Sequence, residues 1–264
     1  MMKSVTTQFA PQYPRNEEGL ILFPRDTVGR RKLFVPEVME HPAKMNLYVL
    51  QSIVEYNTNP GDYIIDCFGG SGTTMWAAAV GRRVTLLELE PAFVDMCKAT
   101  IKQWDAEGIP HADIMILHGD NRQLLPIPCD HMIFSPPYAN DMAKTTGGAL
   151  NEQVQKSVDL YTDSSLNLGR LNEFLYVQAM GKVYDGVAAS VRKGGTVTIT
   201  HRDRSRAGRR ILFADSIIRH MTTRGFSLKD WFKWNPPGSI QAAVNRKRGA
   251  EIVEDEDILI FEKL

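Results

Sequence analysis

Along the chain the spacing of apolar and polar positions changes period several times, and each change marks an element. LYVLQSIVEY (47–56) places its apolar residues at helical spacing, and Asn59-Pro60-Gly61 stops the run. Short apolar runs then alternate with amphipathic ones. DYIIDCF reads as a buried strand, TTMWAAAV as a helix closed by Gly81, and RRVTLLELE as a second strand. PAFVDMCKATIKQWDAEG is a helix with proline at its first position, and ADIMILHGD and DHMIFS are two further strands. Beyond residue 171, helical periodicity returns in EFLYVQAMGKVYDGVAASVRKGG, whose RKGG reads as a C-cap and turn. A strand GTVTITH, a helix ILFADSIIRHMTTRG and the strands FSLKDWFKWN and EDILIFEKL complete the chain. The alternation predicts an α/β fold: an open, mostly parallel seven-stranded sheet, helices on both faces, and an antiparallel C-terminal edge strand.

Two stretches escape this pattern. Residues 1–40 are rich in proline and charge and read as an extended arm with short strands that packs on the domain. Residues 139–171 are polar, and so long a loop inside a compact domain is usually functional or mobile. The aromatic DWFKWNPP (Trp231, Phe232, Trp234) fits an edge strand packed on the core, with base stacking as the alternative.

Composition narrows the picture. The 264 residues suit one domain, and 43% hydrophobic against 23% charged residues can bury a sizeable core. No run reaches the roughly 20 apolar residues that span a bilayer, and the N-terminus lacks an apolar signal core. Cys67, Cys97 and Cys129 are far apart and form no CxxC pair, so neither a disulfide framework nor a metal site is expected, and a reducing cytoplasm is. Basic and acidic residues balance at 31 each, which does not advertise nucleic-acid binding. Local charge differs: HRDRSRAGRR carries Arg202, Arg204, Arg206, Arg209 and Arg210, either a solvated loop or a phosphate-contacting one.

The chemistry gathers at predicted strand ends. In DCFGGSGTT a strand ends at Asp66–Cys67 and a helix starts near Thr73, with glycines between. Glycine permits positive φ and lets a ligand touch the backbone, and the amides of the next helix face the same crevice. Ligands of open α/β sheets bind outside the carboxyl ends of the strands, so a nucleoside or nucleotide is the natural occupant. Glu88 and Glu90 share a face near the end of the next strand, where a carboxylate can accept from both ribose hydroxyls. Asp120 closes the third strand and could accept from an adenine amino group. The dinucleotide fingerprint fails because Met75 stands at its third glycine, and no GK[ST] follows for a phosphate loop. Asp66 would repel a pyrophosphate but suits a cation, such as the α-amino group of S-adenosylmethionine.

The fourth strand ends in FSPPY. Pro136 and Pro137 have fixed φ and no N–H, so this strand end is rigid. Ser135 Oγ and the Pro136 carbonyl could accept the hydrogens of an exocyclic amine, and Tyr138 could stack on an extruded base.

These segments together resemble the amino-methylating DNA methyltransferases, the N6-adenine and N4-cytosine group. The resemblance runs over residues 41–138 through HPAKM, DCFGGSGTT, the Glu88 strand, GDNRQL and SPPY. It implies a Rossmann-like methyltransferase domain over 41–264, with 139–171 and 201–210 as DNA-contacting loops. It assigns Asp66, Phe68, Gly70, Gly72 and Thr73 to the cofactor turn, Glu88 to the ribose and Asp120 to the adenine. Lys44 or His41 would approach the cofactor carboxylate, and Ser135, Pro136, Pro137 and Tyr138 form the catalytic motif. Cys67 stands where that family commonly has proline. Serine at the motif's first position is more usual in the N4-cytosine branch and favours that base over N6 of adenine. RNA, a protein glutamine amide, or nucleotide binding without transfer are the other readings. The implied partner is double-stranded DNA with a flipped base, with room for a homodimer or a restriction endonuclease beside it.

Overall fold

The computed structural model describes residues 8–40, 44–137, 161, 166–206, 209–237, 253 and 255–264. His41, Tyr138 and most of the 139–171 loop lie outside the described residues, as do the side chains of Arg204, Arg206 and Arg209.

Five strands of the sheet run parallel: β1 (Tyr63–Asp66), β2 (Arg83–Glu88), β3 (Ile114–His118), β4 (Cys129–Phe134) and β5 (Val191–His201). A small ribbon, β6 (Arg204–Arg206) with β7 (Arg209–Ile211), stands apart from the main sheet. β8 (Phe226–Trp234) and β9 (Glu256–Lys263) complete the order β3-β2-β1-β4-β5-β9-β8. The C-terminal strand is antiparallel to both neighbours and sits between β5 and β8, so β8 forms the outer edge.

Side-chain alternation splits the core in two. Ile64 and Ile133 face one cluster, and Ile65 and Met132 the other. The first cluster is covered by α2 (Leu47–Asn57), α3 (Trp76–Ala79) and α4 (Pro91–Glu107). Between β3 and β4 lies a short helix that no periodicity in the sequence predicts, α5 (Asn121–Leu124), capped by Asp120. The second cluster is covered mainly by α6 (Glu173–Ser190) and α7 (Ala214–Thr222).

The first forty residues are more than an extended strap. They contain α1 (Thr27–Leu33) and a 3-10 turn, Pro36–Glu40, and insert Phe9, Ile21, Phe23 and Phe34 into the first cluster. Phe9 stacks on Phe232 at 4.4 Å, and Phe23 meets Trp234 edge-on at 5.7 Å. The aromatic edge strand is therefore occupied with packing, as its pattern suggested, and only Trp231 of the three remains well exposed. RKGG departs from expectation: α6 ends at Ser190, Val191 is already extended, and RKGG is the irregular first part of β5. A Cβ on Gly195 would stand 2.3 Å from the Asp130 carbonyl, so close strand approach, not helix capping, explains that glycine.

Candidate active site at the carboxyl ends of the central strands

Parallel pairing puts the ends of β1 to β5 on one edge of the sheet. Ile65 lies beside Met132 and Phe134 beside Ile199, so Asp66, Ser135 and the end of β5 share that edge. Strand spacing and rise put Asp66 and Ser135 on the order of 8 Å apart. The strand order reverses between β1 and β4, which is where a crevice opens in such sheets.

The turn after β1 is built around buried carboxylates. Asp66 accepts from Thr74 Oγ1 at 2.6 Å and from the Phe68 amide at 3.0 Å. Gly70 and Gly72 both have positive φ, at 50° and 83°. A Cβ on Gly72 would lie 2.7 Å from Met75 Cε and 2.8 Å from Cys97 Sγ, so a side chain there would force both to shift. Phe68 leans on Phe134 at 5.7 Å, linking the turn to the strand that carries Ser135.

Glu88 closes β2 and reaches back to this turn. Its two oxygens accept from the Gly70 amide at 2.5 Å and the Glu90 amide at 2.7 Å. The strand stops at Glu88 because Pro91 begins α4, so Glu90 leaves the alternation and precedes the helix. Glu90 accepts from Asn167 Nδ2 at 2.8 Å. Burial pushes Asp66 up to about 6, although Thr74 and the Phe68 amide oppose it. Burial likewise pushes Glu88 up to about 7, against the Glu90 and Gly70 amides. A cation or hydroxyl donors arriving beside such carboxyls would favour their ionised form further.

Asp120 has a partner already. Arg122 donates to it from Nε at 2.9 and 3.0 Å, from Nη2 at 2.7 Å and from its amide at 2.9 Å. Burial alone would raise the Asp120 pKa, but Arg122 outweighs it and holds the carboxyl below its usual range. Lys44 donates to the Met39 carbonyl at 3.1 Å, and burial, then the charge of Arg30, lower it to about 8.

The SPPY end is half enclosed: Pro136 is buried, and Ser135 and Pro137 are half-buried. Tyr176 of α6 donates its hydroxyl to the Pro137 carbonyl at 2.8 Å. Tyr176 is one residue of a long helical run, and nothing in that pattern points to this contact. Asn121 was also unforeseen. Its side-chain amide donates to the Cys67 carbonyl at 2.6 Å and binds α5 to the β1 turn.

The arginine run divides. Arg210 is held by Asp203 at 2.7 Å and Asp255 at 2.8 Å, and Arg202 lies 3.5 Å from Glu256. Asp203 also accepts from the Phe213 amide at 2.9 Å, so it anchors both ends of the β6–β7 ribbon. Among the described residues no cluster of His, Cys, Asp or Glu could hold a metal ion, and no helix is long and apolar enough to cross a membrane.

This architecture is the Rossmann-like methyltransferase fold. It superposes on magnesium protoporphyrin IX methyltransferase (ChlM) from Synechocystis PCC 6803 with a TM-score of 0.52 at 11% identity, covering 90% of this chain and 99% of that one. TrmN from Thermus thermophilus gives 0.51 at 15% identity, over 84% of this chain and 50% of that one. Within that class, residues 13–99 match the DNA methylase family N6_N4_Mtase, which bears out the resemblance read from the sequence. The chain is also 33% identical over 73 residues to the Type II methyltransferase M.BglI of Bacillus subtilis, a match covering 26% of this chain and 21% of that protein.

Proposed function

We propose that this protein is an S-adenosylmethionine-dependent DNA methyltransferase acting on an exocyclic amino group, with N4 of cytosine favoured over N6 of adenine. The observation that carries this is the meeting of the Asp66–Glu88 turn and the SPPY strand end on one sheet edge. The residues fit the cofactor. Side chains are absent at Gly70 and Gly72, Asp66 suits a cationic amino group, Glu88 suits ribose hydroxyls, and Lys44 supplies positive charge for a carboxylate. When bound, the cofactor supplies an electrophilic methyl group on a sulfonium. Asp120 is the acceptor for the adenine amino group, and Arg122 would have to share it.

The amino nitrogen of a base is a poor nucleophile because its lone pair is delocalised into the ring. Ser135 Oγ and the Pro136 carbonyl accept its two hydrogens and draw the nitrogen toward tetrahedral geometry. Tyr138 stacks on the flipped base, a contact worth roughly 1–3 kcal/mol. Holding the nitrogen in line with the methyl–sulfur bond supplies much of the rate. The favoured base rests on Ser135 alone. Transfer of labelled methyl groups to duplex DNA tests the reading. Incorporation into DNA supports it, and incorporation only into RNA or protein overturns it.

The pH dependence follows from the two buried acids. Asp66 and Glu88 bind protons more tightly in the folded chain than in the unfolded one. Their contribution to stability therefore falls as pH rises from about 4 to 7. The cofactor requires them ionised. Calorimetry should show S-adenosylhomocysteine binding more tightly from pH 5.5 to 7.5, by up to about tenfold per unit for each proton released. Flat affinity over that range would contradict the roles of both groups.

The arginine run 202–210 would contact phosphates, so DNA affinity should fall steeply with salt. Arg210, paired to two carboxylates, serves the ribbon in the first place. Arg209→Ala should weaken binding, lower the salt slope by about one, and leave the methylated base unchanged. An unchanged slope would remove position 209 from the interface.

A further inference from the structure

The arm holds a buried charge that the functional reading does not use. Arg30, on α1, is fully enclosed. Its Nε and Nη2 donate to Asp26 Oδ2 at 3.1 and 2.6 Å, and Nη2 also donates to the Met45 carbonyl at 2.7 Å. Nη1 donates to Thr73 Oγ1 at 2.8 Å. Asp26 Oδ2 in turn accepts from the Leu47 amide at 2.9 Å. One ion pair thus joins three elements: the arm helix, the glycine turn at Thr73, and the Lys44–Leu47 segment that opens α2.

Stability is a weak explanation for such a group. A buried ion pair roughly breaks even against apolar residues of similar volume, because desolvation offsets the attraction. What the guanidinium provides is geometry, since its rigid fork of five donors can serve several acceptors in one plane where an ammonium cannot. The acceptors it serves lie on the two segments assigned to the methionyl end of the cofactor. Its charge also acts on Lys44, after burial the second cause of that side chain's lowered pKa.

We propose that Arg30 is a positioning residue for the methionyl end of the methyl donor, acting through Thr73 and the Lys44–Met45 segment. The proposal rests on the cofactor reading above. It makes the arm a working part of the cofactor site as well as a cover for the core.

The test is calorimetric titration of the full chain with S-adenosylhomocysteine, beside steady-state methylation of DNA. The variants are Arg30→Gln, Arg30→Lys, Thr73→Val and the double Arg30→Gln/Thr73→Val. Arg30→Gln should raise Kd and the KM for the donor about tenfold, with the KM for DNA and kcat at saturating donor within about twofold. Arg30→Lys keeps the charge without the fork and should fall between wild type and Arg30→Gln. The double variant should bind no worse than its weaker parent, because both changes break one contact. A lowered Tm with Kd within about twofold of wild type would make Arg30 structural only and overturn the proposal. So would independent, multiplying effects in the double variant. Should Arg30→Gln not fold, Arg30→Lys combined with Thr73→Val decides by the same rule. Wild-type protein that binds no S-adenosylhomocysteine would sink the cofactor reading itself and the proposal with it. A normal wild-type affinity that is insensitive at position 30 sinks the proposal alone.

Discussion

Ser135→Ala should lower kcat for methyl transfer by about a hundredfold or more, while affinity for S-adenosylhomocysteine stays within about twofold. Removing one preorganised hydrogen-bonding group aimed at a developing transition state costs on the order of 10²–10³ in rate. Ser135 follows directly on β4, whose last residue Phe134 pairs with Ile199, so its position is fixed by the sheet. The next two residues are prolines, and Tyr176 fixes the second through its carbonyl. The substitution removes only the hydroxyl and leaves this frame intact, so an effect on turnover reports chemistry, not folding. Parallel loss of cofactor binding would mean that Ser135 belongs to the cofactor turn. Unchanged turnover would remove it from catalysis.

Gly72→Ala should be the most damaging small substitution in the cofactor turn. An L-residue at its φ of 83° costs roughly 1–2 kcal/mol. The added methyl would also overlap Met75 Cε at 2.7 Å and Cys97 Sγ at 2.8 Å, and overpacking a filled core costs about 1–3 kcal/mol more. Together these amount to about 2–5 kcal/mol, or roughly 5–15 °C in Tm for a chain of this size. Cys97 Sγ lies 3.5 Å from the Gly70 carbonyl, so displacing it moves the turn that Glu88 grips. Cofactor affinity should therefore fall with stability. Gly61→Ala is the control: its φ is 94° but nothing lies within 4 Å of the added carbon, so only the backbone cost should appear. A Gly72→Ala protein no less stable than Gly61→Ala would show that the turn is loosely packed and can yield.

The parts of this molecule that were readable in advance are those encoded locally. Short apolar runs bounded by Gly, Pro or Asp, alternating with helical runs, mark β1 to β4, so those strands and the acids at their ends emerged together. Asp66, Glu88 and Asp120 were legible because each follows such a run. Topology at the far end was less so. Two successive strands implied an antiparallel pair, and only tertiary contacts show β9 entering between β5 and β8. TVGRRKL hides α1 because it is short and carries a glycine and a β-branched pair, and tertiary packing overrides that weak propensity. RKGG mimics a helix stop, and only the nearness of the Asp130 carbonyl reveals its strand role.

The side chains that escaped act across long sequence separations. Arg30 and Arg31 are adjacent and chemically identical, yet one is buried at the glycine turn and the other is exposed. Nothing local separates them, since the difference is set by Asp26, Met45 and Thr73. The arginine run shows the converse. Five cations in ten residues read as one surface, but Asp203 and Asp255 engage Arg210 and assign it a different job from its neighbours.

The central claim is that one sheet edge brings a sulfonium methyl donor to the amino nitrogen of a DNA base. The most direct measurement is to incubate the protein with labelled S-adenosylmethionine and duplex DNA, digest to nucleosides and identify the labelled species by mass spectrometry. The account predicts N4-methyl-2′-deoxycytidine, absent from a Ser135→Ala control. Label found only on a ring carbon, or no labelled nucleoside while the cofactor binds, would contradict it.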